Sequence, residues 1–349
     1  MSIETTDVDN ITPFTAETLH SVTREDREVL LVVVAGTFTL PRPCGASRAP
    51  VLRDEQLPPK LEDSYWGAPA CSSLRYEGQN AYFRPGTDIY LNGHARAQRG
   101  HPVKAMDVSL AVGHCHKTVR VFGERLWMSG MVGLSPSSPL PFESMPLVYE
   151  RAFGGTARDE EGGETFEARN PVGRGFYVSR KQAREQLLPN IEDPQALVTS
   201  WSDRPPPAGF GPVSRGWQPR LGYAGTYDAA WVENRAPLWP KDLDPRFFQA
   251  ATPGLNTGSY LQGGERVLLE GMHHDGPLAF ALPQYRLLVR SIFSDRQEQR
   301  VMRLDALLLE PDAGTFTMMW RAAIPLNGNP FDHPYTQVRL MESWEELPK

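Results

Sequence analysis

Closely spaced histidines are the residues of this chain best suited to hold a metal ion. His114 and His116 are separated by one residue, so both imidazoles lie on one face if the segment is extended. Residues 273–275 (His-His-Asp) bring three further ligands together. Both groups stand beside glycine in sequences that are also typical of turns. We therefore interpret both histidine groups as polar connections between strands and expect the protein to hold no cofactor and no metal. A zinc site is the alternative.

Two further histidines could take part in acid–base chemistry. His94 follows a glycine at the end of a predicted strand, and His101 lies a few residues beyond it. An imidazole titrates near neutral pH and can serve as a general base or a metal ligand. The alternative function is therefore that of a metal-dependent or hydrolytic enzyme. Its site would be a cleft that contains His94, His101 and the pair His114/His116. Hydrogen-bonded structural histidines are the interpretation that we favour.

Other signatures of catalysis are missing from the sequence. It contains no GxxxxGK[ST] phosphate loop, no GxGxxG between a strand and a helix, and no GxSxG nucleophile elbow. The adjacent carboxylates of Glu192 and Asp193 precede Pro194 and are better explained by a turn than by an acid–base pair. We therefore predict that the protein is not an enzyme.

Composition narrows the class of protein and of partner. The chain has 349 residues, of which 40% are hydrophobic, so it is long enough and apolar enough to fold around a core. Its 36 basic and 42 acidic residues give a net charge of -6, and the basic residues are scattered. Direct binding of nucleic acid is not expected from this pattern.

Cysteine usage and hydropathy indicate the compartment. Three cysteines without a CxxC pair favour a reducing environment. The first ten residues are polar and acidic, and no run of about 18 apolar residues occurs. We therefore expect a cytoplasmic protein that does not contact the membrane.

Periodicity predicts β-structure. Residues 27–40 (REVLLVVVAGTFTL) are typical of a central strand buried on both faces, with Gly36 as a point of close packing. Strict alternation over 106–112 and 117–122 predicts a hairpin, and the turn residues 311–314 (PDAG) predict a second one. The remaining predicted strands are 87–91, 302–310 and 315–321.

Helix signals are few. Ser179 can cap a helix over 180–188, and Asp244 followed by Pro245 can start one over 246–251. Residues 41–85 are Pro-rich and indicate a long wrapping loop, and 201–240 indicate extended segments held by aromatic side chains. We predict a mainly-β fold of two packed antiparallel layers, sandwich-like, with long ordered Pro/Gly-rich loops. The chain 1–349 is then a single domain, with a sub-division near 155–170 as the alternative.

Several strings in this chain occur in the same order in a known bacterial family. The strings are 87–89 (TDI), 106–113 (MDVSLAVG), 117–123 (KTVRVFG), 144–155 (SMPLVYERAFGG), 170–176 (NPVGRGF), 188–194 (LPNIEDP), 207–212 (PAGFGP), 225–228 (GTYD) and 242–248 (DLDPRFF). Through these strings the chain resembles, over residues 25–325, a domain-of-unknown-function family of type VI secretion proteins, which are regarded as effector chaperones or adaptors.

The resemblance implies a partner rather than a substrate. It implies binding of a type VI toxin effector, or of its PAAR- or Rhs-containing part, and loading of that effector onto the VgrG spike. An immunity-like or structural spike-associated protein is a further alternative. Aromatic anchors suit such binding, and the candidates are Trp66, Trp201, Trp217 and Trp239. For each of them, packing beneath a loop is the alternative.

Charged residues within the strings are predicted to be structural. Arg151, Arg174 and Arg246 can each form a bidentate pair with a carboxylate such as Glu192 or Asp193. Such pairs would hold irregular loops that lack the hydrogen bonds of a sheet.

Overall fold

The computed structural model of the chain describes residues 8–43, 49–131, 133–159, 161–326, 334–342 and 345. Strands account for 39% of the structure and helices for 7%, which confirms the mainly-β prediction. The strands of the described residues are β1 Val8–Asn10, β2 Thr15–Val22, β3 Glu28–Thr39, β4 Val51–Leu52, β5 Ser64–Tyr65, β6 Leu74–Tyr76, β7 Asp88–Leu91, β8 His94–Arg96, β9 Ala105–Val112, β10 Cys115–Phe122, β11 Trp127–Ser129, β12 Leu134–Pro136, β13 Ser144–Pro146, β14 Phe153–Gly154, β15 Thr156–Arg158, β16 Glu164–Phe166, β17 Arg174–Gly175, β18 Ile191–Glu192, β19 Arg266–Glu270, β20 Leu278–Ala281, β21 Leu287–Ile292, β22 Gln297–Val301, β23 Arg303–Glu310, β24 Thr315–Pro325 and β25 Tyr335–Leu340.

The largest sheet is built around β3. Its strand order is β2-β3-β24-β23-β7, with β4 paired to the end of β3. Residues 30–35 of β3 are at most 1% exposed, which confirms the prediction of a central strand buried on both faces. A side chain at Gly36 would come within 2.8 Å of the Phe14 ring, so glycine there permits the predicted close packing. The predicted C-terminal hairpin forms from β23 and β24, and Gly314 of its turn has a φ of 66°.

A second sheet contains the other predicted hairpin. Strands β9 and β10 pair antiparallel over their whole length, and the sheet order is β18-β10-β9-β19-β20. The predicted strand at 87–91 also forms, as β7, but it lies in the large sheet. There it pairs in parallel with residues 306–309 of β23. Two further pairs, β1 with β25 and β14 with β17, are parallel as well, so the layers are not purely antiparallel.

One hydrophobic core joins these sheets. Val108 and Leu110 of the second sheet share it with Val32 and Met318 of the large sheet. Phe280 and Phe316 meet across the two sheets, with ring centroids 5.0 Å apart. A four-stranded sheet, β1-β25-β21-β22, adds Val289 and Val338 to the same core. This arrangement agrees with the predicted sandwich-like packing.

The helices are short and differ in extent from the prediction. Ser179 caps α1 as expected, but α1 spans only Arg180–Ala183. The predicted continuation to residue 188 is wrong, because Glu185 takes a φ of 62° and donates its backbone N–H to Trp127. Asp244 caps a 3₁₀ helix, Pro245–Phe248, that ends before the predicted residue 251. Other helices of the described residues are α2 Ala229–Asn234 and the 3₁₀ turns Gln98–Gly100, Tyr149–Arg151 and Arg220–Tyr223.

The long irregular segments are ordered by tertiary contacts. Within the predicted wrapping loop 41–85, strands β5 and β6 pair with each other, and β4 pairs with β3. Within 201–240 the structure adds α2, which Asp228 caps by accepting a hydrogen bond from the backbone of Trp231. No helix in the described part of the chain has both the length and the apolar character needed to cross a membrane.

Close backbone approach at Gly123 gives a test of this packing. A methyl group at Gly123 would lie 1.7 Å from the carbonyl oxygen of Leu140, whereas one at Gly216 would meet no atom within 4 Å. We expect Gly123→Ala to lower the free energy of unfolding by about 1–3 kcal/mol or more, because the backbone must move apart. Gly216→Ala is the matched control, and urea unfolding of both variants is the measurement. Equal stability of the two would contradict the packing described here.

Candidate functional site

A cleft of about 810 Å³ lies between two sheets. It is lined by residues 299–301 of β22, the edge strand of the four-stranded sheet. Residues 303–305 of β23, 320–323 of β24 and the loop 82–84 line it as well. The cleft therefore joins two sheets, and an unpaired strand edge belongs to its wall.

Aromatic side chains form much of its surface. The ring of Tyr260 lies 4.9 Å beneath the Arg303 guanidinium, which also donates a hydrogen bond of 3.2 Å to the Tyr260 hydroxyl. That hydroxyl in turn donates to the carbonyl of Arg84. Trp320 is buried in the wall and stacks on Phe14, with ring centroids 5.3 Å apart. The cleft thus offers flat apolar surfaces whose positions are set by packing.

Positive charge dominates the cleft. Its charged residues are five arginines and one aspartate: Arg84, Arg286, Arg300, Arg303, Arg321 and Asp305. The chain as a whole has a net charge of -6, so the cleft has the sign opposite to that of the protein.

Buried ion pairs hold the inner side of the cleft. Asp305 lies at a register shift in β23, between Leu304 and Ala306, and such an irregularity turns a side chain away from the regular alternation. Its carboxylate accepts from Arg321 and lies 3.5 Å from Arg84. All three side chains are at most 3% exposed. The bulge therefore places one carboxylate between two buried guanidinium groups.

Gln79 links these residues to a second buried pair. Its side-chain oxygen accepts from Arg84 and Arg321 at 2.9 Å each, and its amide donates to the carbonyl of Glu77. Glu77 is fully buried and accepts hydrogen bonds from Arg220 and Arg215. Burial alone would raise the pKa of the Glu77 carboxyl, but the Arg220 charge and its hydrogen bonds outweigh burial and hold that pKa below its usual value.

The same group includes a third carboxylate, Asp88, at the start of β7. Asp88 accepts from the Tyr90 hydroxyl at 2.6 Å and from the backbone of Ala250 at 2.7 Å, and it lies 3.7 Å from Arg84. Burial raises the pKa of Asp88 and outweighs the neighbouring Arg84 charge. We call the whole set the arginine network: Arg84, Arg215, Arg220, Arg321, Gln79, Glu77, Asp88 and Asp305. It holds four guanidinium groups and three carboxylates.

One polar atom of this network lacks a partner. Arg84 donates from Nε to the carbonyl of Phe248 at 3.1 Å and from Nη1 to Gln79. Its Nη2 is buried and makes no hydrogen bond to any described residue. An unsatisfied charged donor is costly inside a protein, and the neighbouring carboxylates of Asp88 and Asp305 offset part of that cost for Arg84.

The predicted histidines lie at separate places. The Nδ1 of His94 is 2.6 Å from the Asp312 carboxylate, which also accepts from Arg96. His114 occupies the turn of the β9–β10 hairpin, and His116 is exposed on β10. His101 is exposed beyond a 3₁₀ turn. None of these four belongs to a group of three or more metal ligands among the described residues.

The structure does bring the other predicted ligands together. His273, His274 and Asp275 have ligand atoms within 4.8 Å of one another, the one such group in the part of the chain that is described. The two rings stack with centroids 4.5 Å apart, and burial together with the His274 charge lowers the pKa of His273. His274 and Asp275 are exposed and lie in a bend, as the turn interpretation predicts.

The four predicted tryptophans differ in exposure. Trp66 is 38% exposed and stacks on the Arg75 guanidinium at 4.5 Å. Trp201 and Trp239 are half-buried in small clusters, where Trp239 donates to the carbonyl of Val22. Trp217 is only 8% exposed and meets Tyr149 edge-on in the main core. We therefore assign Trp217 to packing beneath a loop, and partner binding stays a prediction for the other three.

Two of the predicted arginines share a carboxylate that the sequence did not suggest. Arg151 and Arg174 both pair with Glu124, and both donate to the side-chain oxygen of Asn190. Arg174 also donates from Nε to the carbonyl of Glu150. These bonds join the 3₁₀ turn Tyr149–Arg151 and the two-residue strand β17 to the segments around Glu124 and Asn190, in agreement with the structural role that was predicted for them.

The remaining predicted ion-pair residues also have local partners. Arg246 forms a bidentate pair with Asp244, the residue that caps its own 3₁₀ helix. Glu192 is 3% exposed and pairs with Arg125, and burial raises its pKa more than the Arg125 charge lowers it. Asp193 accepts from the backbone of Gln195 and forms the turn that was predicted before Pro194, so its contact is a turn hydrogen bond and not the ion pair that was predicted for it.

The arginine network was not recognised in the sequence. A usable signal was Asp305, a charged residue inside the otherwise apolar run 304–309 (LDALLL), because such a residue needs a buried partner. The partners could not be read from spacing, since Arg84 lies more than 200 positions away from it.

Comparison with known proteins gives one match. A family model described as an uncharacterized protein conserved in bacteria (DUF2169) matches residues 25–321. The chain matches no curated protein and no solved structure.

Glu77 gives a pH-dependent test of the network. We expect Glu77→Gln to lower the free energy of unfolding at neutral pH by roughly 3–5 kcal/mol, because it leaves Arg220 and Arg215 without a buried counter-charge. The folded pKa of Glu77 lies below its usual value of 4.5, so its charge stabilises the fold above that pH. The difference between wild type and variant should therefore shrink as the pH falls further. Urea unfolding from pH 7 to pH 3 measures it, with the exposed Glu233→Gln as control. If the stability difference between wild type and Glu77→Gln stays constant down to pH 3, the lowered pKa of Glu77 is contradicted.

Arg174 gives a test of the Glu124 pairs. We expect Arg174→Ala to lower the free energy of unfolding by about 1–2 kcal/mol, because it removes bonds to Glu124, Asn190 and the Glu150 carbonyl. Arg158→Ala is the matched control, because the Arg158 side chain is 77% exposed and its ion pair with Glu164 is long, at 3.9 Å. Thermal unfolding compares the two variants. If Arg174→Ala is as stable as the wild type, the structural role of Arg174 is contradicted.

Proposed function

The chain belongs to the bacterial family of uncharacterized proteins DUF2169, and from this premise we propose that it is a non-enzymatic adaptor. In this proposal it is a cytoplasmic chaperone for a type VI secretion effector. It binds an extended segment of the toxin, or of its PAAR- or Rhs-containing part, and delivers the effector to the VgrG spike. The link to type VI secretion rests on the sequence resemblance over residues 25–325.

The observation that carries the adaptor function is the cleft beside β22. This strand pairs with β21 alone among the described strands, so its outer edge has no hydrogen-bonded strand neighbour. An extended segment of another protein can add to such an edge through main-chain hydrogen bonds, while side-chain pockets provide specificity. The tyrosine side chains of the cleft supply apolar contact surface without losing much conformational entropy.

Size also favours a polypeptide ligand. The cleft volume of about 810 Å³ lies near the upper end of the range of small-molecule pockets. Its walls combine strand backbone, aromatic rings and arginines, and these are the groups enriched where proteins bind one another. The proposed effector segment would shield its own apolar residues against these rings until it is delivered.

Co-purification tests this function. A tagged copy of the chain is co-expressed with the toxin encoded beside it and with VgrG and PAAR proteins, and the soluble effector that is retained is quantified. We expect a stable complex and a higher yield of soluble effector. Ala323→Trp should reduce the retained effector about tenfold, because Ala323 lines the cleft and an indole would fill it.

The control is an indole placed elsewhere on a strand. Ala279→Trp puts it on the exposed face of β20, outside the cleft, and should leave the complex intact. Circular dichroism confirms that both variants fold. Failure of the wild-type chain to retain any of the three proteins would reject the adaptor function. Equal retention by both variants would show that the effector binds elsewhere.

A further inference from the structure

We propose that the cleft selects an acidic partner segment, whose carboxylates bind the exposed arginines of the cleft wall, Arg286, Arg300 and Arg303. This inference rests on the proposed adaptor function and names the chemistry of the segment that it binds. The occupant is an extended peptide from another protein that carries glutamate or aspartate on one face.

Charge complementarity is the first argument. The cleft wall holds five guanidinium groups against the single carboxylate of Asp305, and that carboxylate is already paired with Arg321. Among the exposed arginines, Arg300 has one acidic neighbour at 3.5 Å, Glu298, and Arg303 rests on the neutral Tyr260. An acidic segment therefore meets a local excess of positive charge, although the protein as a whole is negative.

The exposure of three arginines is the second argument. Arg286, Arg300 and Arg303 are exposed in the cleft, whereas Arg84 and Arg321 are buried and already lie beside the carboxylates of Asp88 and Asp305. A partner carboxylate can therefore reach the three exposed guanidinium groups without disrupting a buried ion pair.

The shape of the cleft favours a peptide over a free oxyanion. A single carboxylate or phosphate ion would occupy a small part of about 810 Å³ and would leave the aromatic walls uncovered. An extended chain beside β22 presents alternate side chains to the same side. Acidic residues at every second position would therefore face the arginines, and the intervening residues would face away from them.

A labelled peptide tests this inference on the full-length chain. The probe is a fluorescein-labelled decapeptide of alternating Glu and Val, and its counterpart has Gln in place of Glu. Fluorescence anisotropy at low ionic strength should give an affinity about tenfold higher for the Glu peptide, and the difference should shrink as salt screens the charges. Equal affinity of the two peptides would overturn the inference.

Matched variants locate the binding. The double variant Arg300→Gln/Arg303→Gln should weaken binding of the Glu peptide by about tenfold, because both residues are exposed in the cleft. Arg290→Gln removes an exposed arginine outside the cleft and should have little effect. An unchanged affinity of the double variant would overturn the inference.

Two further outcomes separate the inference from the proposed function. Displacement of the peptide by inorganic phosphate at equal concentration would show a small-anion site and would overturn the choice of a peptide. If the Glu peptide binds through Arg300 and Arg303 but no effector is retained in co-purification, the inference stands and the effector assignment fails. If the double variant still retains effector as well as the wild type does, the adaptor function stands and the inference fails.

Discussion

A guanidinium group that is taken out of water must find acceptors inside the protein, or the fold loses several kcal/mol. Arg84 and Arg321 impose this requirement beside the largest sheet, and Gln79, Asp305 and backbone carbonyls meet most of it. These groups come from the loop before β7, from β23 and from β24, so the same bonds that satisfy the charges also fix the three segments to one another. The inner wall of the cleft is therefore held together by the hydrogen bonds of Arg84 and Arg321, and these arginines contribute to its positive charge.

Those parts of the fold that depend on local pattern could be predicted from the sequence. The apolar run of β3, the alternation of β9 and β10, and the turn before β24 each carry their own signal, and each formed as expected. The position of β7 could not be predicted, because no local pattern says which sheet a strand will join. The helix after Ser179 ended early for a related reason: hydrogen bonds from residues 185–188 to the segment 125–127 replaced those of the helix.

The candidate site was harder to predict than the fold. Histidines attracted attention because their chemistry is versatile, yet His94 is paired with Asp312 and the side chain of His116 is exposed on β10. Arg84 stood alone in a Pro/Gly-rich loop, and although Gln79 and Asp88 are close to it in sequence, its partner Asp305 lies more than 200 residues later. Trp217 shows the converse difficulty, since residue type alone cannot distinguish a ring that binds a partner from one that fills the core.

The order of strands in the largest sheet has a consequence for biosynthesis. β3 is made early, but one of its two neighbours, β24, ends at Pro325 and leaves the ribosome only after most of the chain has been translated. Until then β3 can pair with β2 and β4, and its edge toward β24 stays open. This strongly apolar strand therefore has an open edge during most of translation, and truncated or stalled chains should be prone to aggregate.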